Sequence, residues 1–352
     1  MDKNSPTKLP PFRVFHGPRI LAEKQNFNIS RSNIPYMWKD TEGQGAYGVI
    51  LDTGQPLPHP DLNVRGQGRS FIDNEDEFDR ESFHSTWIAG VSEGIANNGM
   101  GVVGIANSAT HHYGKVLANN GSGDLIALLR GLDWCIGLKR QGLCDVINMS
   151  LGFPNWIDDI PELKNACQQV KAEGITICCA NGNAAGAIGQ PAKYPSTIAV
   201  SAVDRDDLPA TFTDYGKESD FTAMGVKSYS TWGDKGYAAI SGTSMASPVI
   251  YNLALLIIAK HRAAGEELTP DEVYDHLKKL SVDIGSPGWD EKTGHGIVHF
   301  GESLPPSPPK RKPKFGLCSS PEDSLALQTV QKILQDAVKH ISAAERLSKM
   351  EE

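Results

Sequence analysis

The sequence predicts an α/β protein: a doubly wound, mostly parallel sheet with helices on both faces. Two patterns carry that prediction. Short, almost wholly apolar runs of β character recur between about residues 45 and 300: "AYGVILD" (46–52), "HHYGKVL" (111–117), "DVINMSL" (145–151), "GITICCA" (174–180) and "TIAVSAV" (197–203). Helix-like stretches lie between or after them, at 84–94, 123–140, 161–173 and 245–264. Strands that are apolar on both faces belong to a parallel sheet covered on both sides. A third observation bounds the class: 352 residues at 39% hydrophobic and 22% charged is ordinary globular composition. In such a fold the active site falls at the carboxyl ends of the strands.

The segments justify themselves in order. Residues 1–30 are polar and proline-spotted, with no apolar signal core, and read as an N-terminal extension. Residues 31–302 hold the strand–helix alternation and form the main domain. Within it, 161–173 opens on proline and acid and closes on Gly174, as helix ends prefer. "LALLIIA" (253–259) suits a buried helix, and no run approaches the ~20 apolar residues of a membrane span. Residues 303–319 include "PPSPPKRKPK" (305–314), a stiff, extended linker. Residues 320–352 read as an amphipathic helical tail, with Val330, Leu334, Ala337, Ile341 and Ala344 spaced four and three apart. That stripe either docks on its own subunit or joins two copies into a homo-oligomer.

A net charge of -8 argues against nucleic-acid binding, since phosphate contacts need clustered Lys and Arg. The basic run "KRKPK" (310–314) is short, proline-broken and best read as solvated linker. The six cysteines, at 135, 144, 167, 178, 179 and 318, form no zinc-like CxxC pair. Several sit in apolar runs as small core residues, which suits a cytoplasmic protein of a reducing compartment without a membrane partner.

Three separated segments bear chemistry. In "VILDTG" (49–54) an apolar strand ends in Asp52. A carboxylate there is costly unless it has a hydrogen-bonding role. Alone, Asp52 reads equally as a metal ligand or a turn cap. D-T-G also occurs in aspartic proteases, but those need a second such aspartate in an all-β setting. In "FHSTWIAGV" (83–91) His84 opens a small-residue, helical stretch, where a lone histidine is more often structural. In "SGTSMASP" (241–248) Ser244 sits where a β run turns into the helix 245–264. A nucleophile at a helix N-terminus gains from the macrodipole and from unpaired backbone N–H groups. Gly242 and Ala246 leave room for a substrate backbone.

Taken together, Asp52, His84 and Ser244, in the order Asp…His…Ser on an α/β chain, resemble the triad of the subtilisin-like (subtilase) serine proteases. The resemblance covers about residues 36–300 and is most specific in "GTSMASP". "VILDTG", "HPDL" (59–62), "VINMSLG" (146–152) and "YPSTIAVSAV" (194–203) add to it. It implies a serine endopeptidase acting on a peptide or protein substrate. Ser244 would be the nucleophile, His84 the general base and then acid, and Asp52 the group that orients the imidazole. "ANGNAAG" (180–186) resembles the segment that supplies an oxyanion donor, at Asn183, to act with the Ser244 backbone N–H. By the same resemblance Gly121, Ser122 and Gly123, in "NGSGDL" (120–125), and Ser150, Leu151 and Gly152 form the two edges that sandwich an extended substrate. Ala180, Asn181 and Gly182 would line the primary specificity pocket. No acidic residue stands out among these, so a strict preference for basic residues is not indicated.

"ANNGMGVVG" (96–104) resembles the family's calcium loop. This implies a structural Ca2+ held by side-chain oxygens of Asp61 and Asn98 and by the carbonyls of Ala96, Met100 and Val102. His59 belongs to the "HPDL" turn and is not taken as catalytic. "KLPPFRV" (8–14) resembles the short extension of intracellular subtilisins, the subgroup this chain most resembles. Leu9, Pro10, Pro11 and Phe12 would then cross the active site and hold the enzyme as an inactive zymogen, proline fitting poorly in a fully hydrogen-bonded substrate pose.

The chain departs from the family at Ser85, Trp87, Met224, Tyr251 and Asn252, and the last two are large for a tightly packed helix. Two alternatives stand beside the protease: a catalytically silent, peptide-binding copy of the fold, and a peptide ligase or esterase on the same scaffold.

Overall fold

A computed structural model describes residues 7–9, 13–16 and 27–301. Pro10, Pro11 and Phe12, the linker 303–319 and the tail 320–352 lie outside the described residues, and with them the tail's proposed role in self-association.

The strands are β1 (Thr7–Lys8), β2 (Arg13–His16), β3 (Tyr47–Asp52), β4 (Gln55–Pro56), β5 (Gly68–Ser70), β6 (Phe78–Asp79), β7 (Thr110–Lys115) and β8 (Ser122–Gly123). They continue with β9 (Val146–Met149), β10 (Thr176–Ala180), β11 (Ile198–Val203), β12 (Phe221–Met224), β13 (Ser228–Trp232), β14 (Gly236–Ser241), β15 (Ser281–Val282) and β16 (Ile297–Val298). The helices are α1 (Phe27–Arg31), α2 (Ile34–Met37), α3 (His84–Glu93), α4 (Leu125–Lys139), α5 (Pro161–Ala172), α6 (Thr243–Ala263) and α7 (Pro270–Lys279).

Nine strands form the central sheet in the order β15-β16-β12-β11-β10-β9-β3-β7-β5. From β16 to β5 every neighbouring pair is parallel, and only the edge strand β15 runs antiparallel. Both faces are covered, as the apolar runs predict. On β3, Ile50 points into the core shared with α3 and α6, whereas Val49 and Leu51 point into the core shared with α4 and α5. After β3 the chain first builds β5 and β7 to one side, then crosses to β9 on the other. The strand order therefore reverses between β3 and β9, and the crevice outside their carboxyl ends is where such sheets bind ligands.

Helix α6 is the central pillar, buried from Thr243 through Ala259. By length and composition it could cross a membrane, but its apolar window is 94% buried, so its apolarity is that of a core helix. Tyr251 fits because β3 has glycine opposite it: a Cβ on Gly48 would stand 1.8 Å from the Tyr251 hydroxyl. That hydroxyl is paired with His111 Nδ1 (2.8 Å), and Asn252 Nδ2 donates to Ser92 Oγ (2.9 Å). The large residues behind Ser244 are thus accommodated, not strained. Trp87 is buried likewise, donating from Nε1 to the Ala238 carbonyl.

Two features were absent from the sequence reading. Helix α7 is fixed by a capping box, with Thr269 Oγ1 accepting from the Glu272 N–H and the Glu272 carboxylate accepting from the Thr269 N–H. The hairpin β13–β14 is extended by β2, so part of the N-terminal extension is a strand of the body, and α1 runs across the expected boundary at residue 30.

Candidate active site

Asp52 is the last residue of β3 and is fully buried. Its Oδ1 accepts from the Thr53 N–H (2.8 Å) and the Thr53 hydroxyl (3.2 Å), so the carboxylate cannot swivel. The loop that follows is tied down by Lys115, a buried ammonium at the end of β7. Its Nζ donates to the Thr53 carbonyl (3.0 Å), the Phe78 carbonyl (2.7 Å) and Asn119 Oδ1 (2.7 Å), and pairs with Glu75 (3.1 Å).

His84 is the first residue of α3. Asp79 anchors that helix end, accepting from the Phe83 N–H (2.9 Å) and from the N–H and hydroxyl of Thr86 (both 3.0 Å). Burial pushes the Asp79 carboxyl above its ordinary range, its backbone N–H bonds from Thr86 oppose this, and the nearby Asp52 charge adds to it. Nδ1 of His84 lies 2.9 Å from Asp52 Oδ1 and 3.0 Å from Oδ2. A carboxylate only accepts, so Nδ1 carries the proton and Nε2 is the basic nitrogen.

Ser244 lies in the first turn of α6. Pro248, four residues on, has no N–H to give the Ser244 carbonyl, and Ser150 Oγ donates to that carbonyl instead (3.1 Å). Ser150 follows β9, the strand beside β3, which brings Ser244 to the crevice where Asp52 and His84 stand. The expected serine–histidine hydrogen bond is not formed. Ser244 Oγ donates its one proton to the Ser150 carbonyl (3.2 Å). A serine hydroxyl reorients by rotation about χ1, and catalytic hydrogen bonds are often long or unformed before substrate binds.

Asn183 is held from one side. Its Oδ1 accepts from the Thr243 N–H (2.8 Å) and hydroxyl (2.9 Å), which fixes the amide's orientation and leaves Nδ2 as its donor end. The Ser244 N–H, at the second position of α6, finds no acceptor among the described residues, as expected for a helix N-terminus. The Asn183 amide and the Ser244 N–H thus sit at one helix end. Thr243 is the residue that positions the Asn183 amide.

The two predicted edges lie on either side of a groove, and the chain's own N-terminus is in it. Thr7 pairs with Gly123 and Lys8 with Ser122, antiparallel. Lys8 also bridges Gly152 with two bonds of 3.4 Å, and the Leu9 N–H donates to the Gly121 carbonyl (3.2 Å). Leu9 packs partly buried beside Gly121. Of the four residues expected to block the site, Leu9 is in the groove, and Thr7 and Lys8 make the strand pairing. Ala180, Asn181 and Gly182 line a cavity of about 330 Å³ next to the groove, with Leu151, Gly152 and Asn183. Asn181 itself is structural, donating to the Asp214 carbonyl and Ser219 Oγ.

At the expected cation site, Asp61 Oδ1 accepts from Asn98 Nδ2 (2.6 Å), and Oδ2 accepts from the Val102 N–H (2.8 Å) and the Tyr237 hydroxyl (3.2 Å). Asn98 Oδ1 accepts from the Met100 N–H (2.9 Å) instead of facing a metal. The loop carrying Ala96, Met100 and Val102 closes tightly on the carboxylate: a Cβ on Gly101 (φ +59°) would lie 1.9 Å from Asp61 Oδ2. His59 is structural, paired with the Gly236 carbonyl through Nε2 and accepting the Asp61 N–H at Nδ1.

A carboxylate-held imidazole and a hydroxyl at a helix N-terminus, beside the switch point of a parallel sheet, point to a serine hydrolase. Comparison with known proteins makes the class specific. Residues 43–296 match the Subtilase family. A subtilisin of Bacillus pumilus is 36% identical over 285 residues, covering 79% of this chain and 98% of that protein. Subtilisin E of Bacillus subtilis (strain 168) is 36% identical over 285 residues, 79% of this chain and 71% of the relative. Subtilisin Savinase of Lederbergia lenta is 34% identical over 280 residues, 79% and 98% of the two chains. The chain belongs to the subtilase family and is a serine endopeptidase acting on peptide or protein substrates.

Proposed function

We propose that Asp52, His84 and Ser244 are the catalytic triad of this endopeptidase and that Asn183 and the Ser244 N–H form its oxyanion hole. The reading rests chiefly on the buried Asp52–His84 pair, which fixes the Nδ1-protonated tautomer. Substrate binding turns the Ser244 hydroxyl from Ser150 toward His84 Nε2. Oγ attacks the scissile carbonyl as Nε2 takes its proton, and Asp52 stabilises the imidazolium. The carbonyl oxygen, now negative, accepts from Asn183 Nδ2 and the Ser244 N–H, a contribution of roughly 3–4 kcal/mol per donor. The imidazolium then protonates the leaving amine, and water hydrolyses the acyl-enzyme by the reverse proton path. Labelling with a serine-directed fluorophosphonate tests the assignment. With and without residues 1–12 compared, the label is expected on Ser244, and labelling elsewhere or in neither form sinks it.

The N-terminal segment acts as a built-in inhibitor in the same reading. Residues 7–9 already occupy the central strand position between the two substrate edges. Removing residues 1–12, which leaves β2 in place, is expected to raise kcat/KM on short peptides by about tenfold or more, since it removes a tethered competitor. A synthetic peptide of residues 1–12 added back should inhibit competitively. Unchanged activity on deletion would leave the segment without this role.

Calcium at the Asp61 loop belongs to the same proposal. The donor set of a carboxylate, an amide oxygen and backbone carbonyls is of the kind that suits a hard cation. The ion would be held by Asp61, the carbonyls of Ala96, Met100 and Val102, and Asn98 once its amide has turned. It would supply stability, not chemistry. Chelation is expected to lower Tm by about 5–10 °C in calorimetry, reversed by added Ca2+ and absent in Asp61→Asn.

A further inference from the structure

The cavity beside the groove holds a charge that the sequence did not place there. Asp214 is only 6% exposed, lies 31 residues beyond Asn183, and lines the same cavity as Ala180, Gly182 and Leu151. Its two oxygens have different tasks. Oδ1 accepts the N–H groups of Ala184 (2.8 Å) and Gly186 (2.9 Å), bracing the loop after Asn183. Oδ2 accepts no hydrogen bond among the described residues. It lies along the Gly182 backbone, 2.1 Å from where a Cβ on that residue would be. That strip of backbone borders the path of the side chain preceding the cut. The remaining walls are largely hydrocarbon, with Leu151, Phe153 and Ala180 among them. The other ionisable residue on the cavity is Lys8, exposed and part of the blocking segment, so it leaves when that segment does.

We propose that Asp214 is the primary specificity determinant, and that the enzyme favours substrates with a basic residue, lysine ahead of arginine, immediately before the scissile bond. A lysine lays its four-carbon stem along the apolar walls and places its ammonium on Oδ2. Arginine's planar fork is best matched by two carboxylate oxygens, and here one is already taken by backbone N–H groups. Burial pushes the Asp214 carboxyl up, opposed by the two backbone N–H bonds, and a cation entering the cavity favours the ionised form.

The inference rests on the triad reading, and its test separates the two. The chain, both full-length and with residues 1–12 removed, is assayed on fluorogenic peptides identical except for lysine, arginine, norleucine or phenylalanine before the cut. Norleucine keeps the lysine stem and lacks the ammonium. Lysine is expected to exceed norleucine in kcat/KM by about 10- to 100-fold, the range for a hydrogen bond to a charged partner. Asp214→Asn keeps an oxygen for the Ala184 and Gly186 N–H groups while removing the charge. It should bring lysine and norleucine within about threefold of each other by slowing lysine alone. Norleucine equal to or better than lysine, or a variant that slows every peptide alike, overturns the proposal. Fluorophosphonate labelling is run on the same preparations. If Ser244 does not label and nothing is cleaved, the triad reading fails. The relative affinities of the Ser244→Ala chain for product peptides ending in lysine or norleucine then decide the Asp214 question, and equal affinities refute it.

Discussion

Ser244→Ala is expected to lower kcat by roughly 10⁶-fold, a size of effect measured for the equivalent loss in subtilisin, to which this chain is related. The nucleophile is lost while the cradle remains: Asn183 is positioned by Thr243, not by the Ser244 hydroxyl. The Ser244 carbonyl still receives Ser150 Oγ. Substrate affinity should therefore change little, and residual turnover should come from the oxyanion donors alone. A variant retaining more than about one part in 10³ of the activity would show that another group carries the attack.

Asp52→Asn should be the next most damaging change, lowering kcat by about 10⁴-fold at neutral pH with KM changed much less. The reason lies in the Thr53 donors. Oδ1 of residue 52 receives both the Thr53 N–H and hydroxyl. An asparagine would keep its carbonyl oxygen there and present its NH2 to His84 Nδ1. The imidazole would then carry its proton on Nε2 and could not accept one from Ser244. Rate measurements against pH, with active-site titration to count competent enzyme, check this. A loss under about 100-fold would mean that Asp52 positions the ring without setting its tautomer.

Much of this architecture is legible in the residues themselves. The helical stretch read at 84–94 is α3 (His84–Glu93), and that at 161–173 is α5 (Pro161–Ala172). Periodicity and end signals are local, and local chemistry decided them. The residues proposed as the triad stand out in the sequence because each sits at a junction with its own signature, such as an apolar strand ending in acid or small residues opening a helix. Asp214, Asp79 and Lys115 carried no such signature. A carboxylate in "TFTDYG" reads as a surface turn until the fold sets it behind Gly182, and Lys115 reads as exposed until β7 buries it beside β3. Tyr251 seemed too large because its compensating glycine, Gly48, lies some two hundred residues away. The serine hydroxyl's orientation is a rotamer choice, which no sequence pattern encodes. The loop at Asp61 shows the same limit: Asn98 and Val102 come to Asp61, but Val102 does so through its N–H and not its carbonyl, and Asn98 Oδ1 faces the Met100 N–H.

In the proposed autoinhibited form, residues 7–9 are part of the same molecule as the groove they fill. Their local concentration is set by the connecting chain, on the order of millimolar for short flexible tethers, and dilution leaves it unchanged. Blocker and enzyme are made in equal number by construction, so no imbalance in synthesis releases activity. One cut in the tether abolishes that advantage, since the freed peptide diffuses away to whatever concentration the surroundings hold. Control of an enzyme so blocked would be governed by a single irreversible event in the chain rather than by how much of the protein is present.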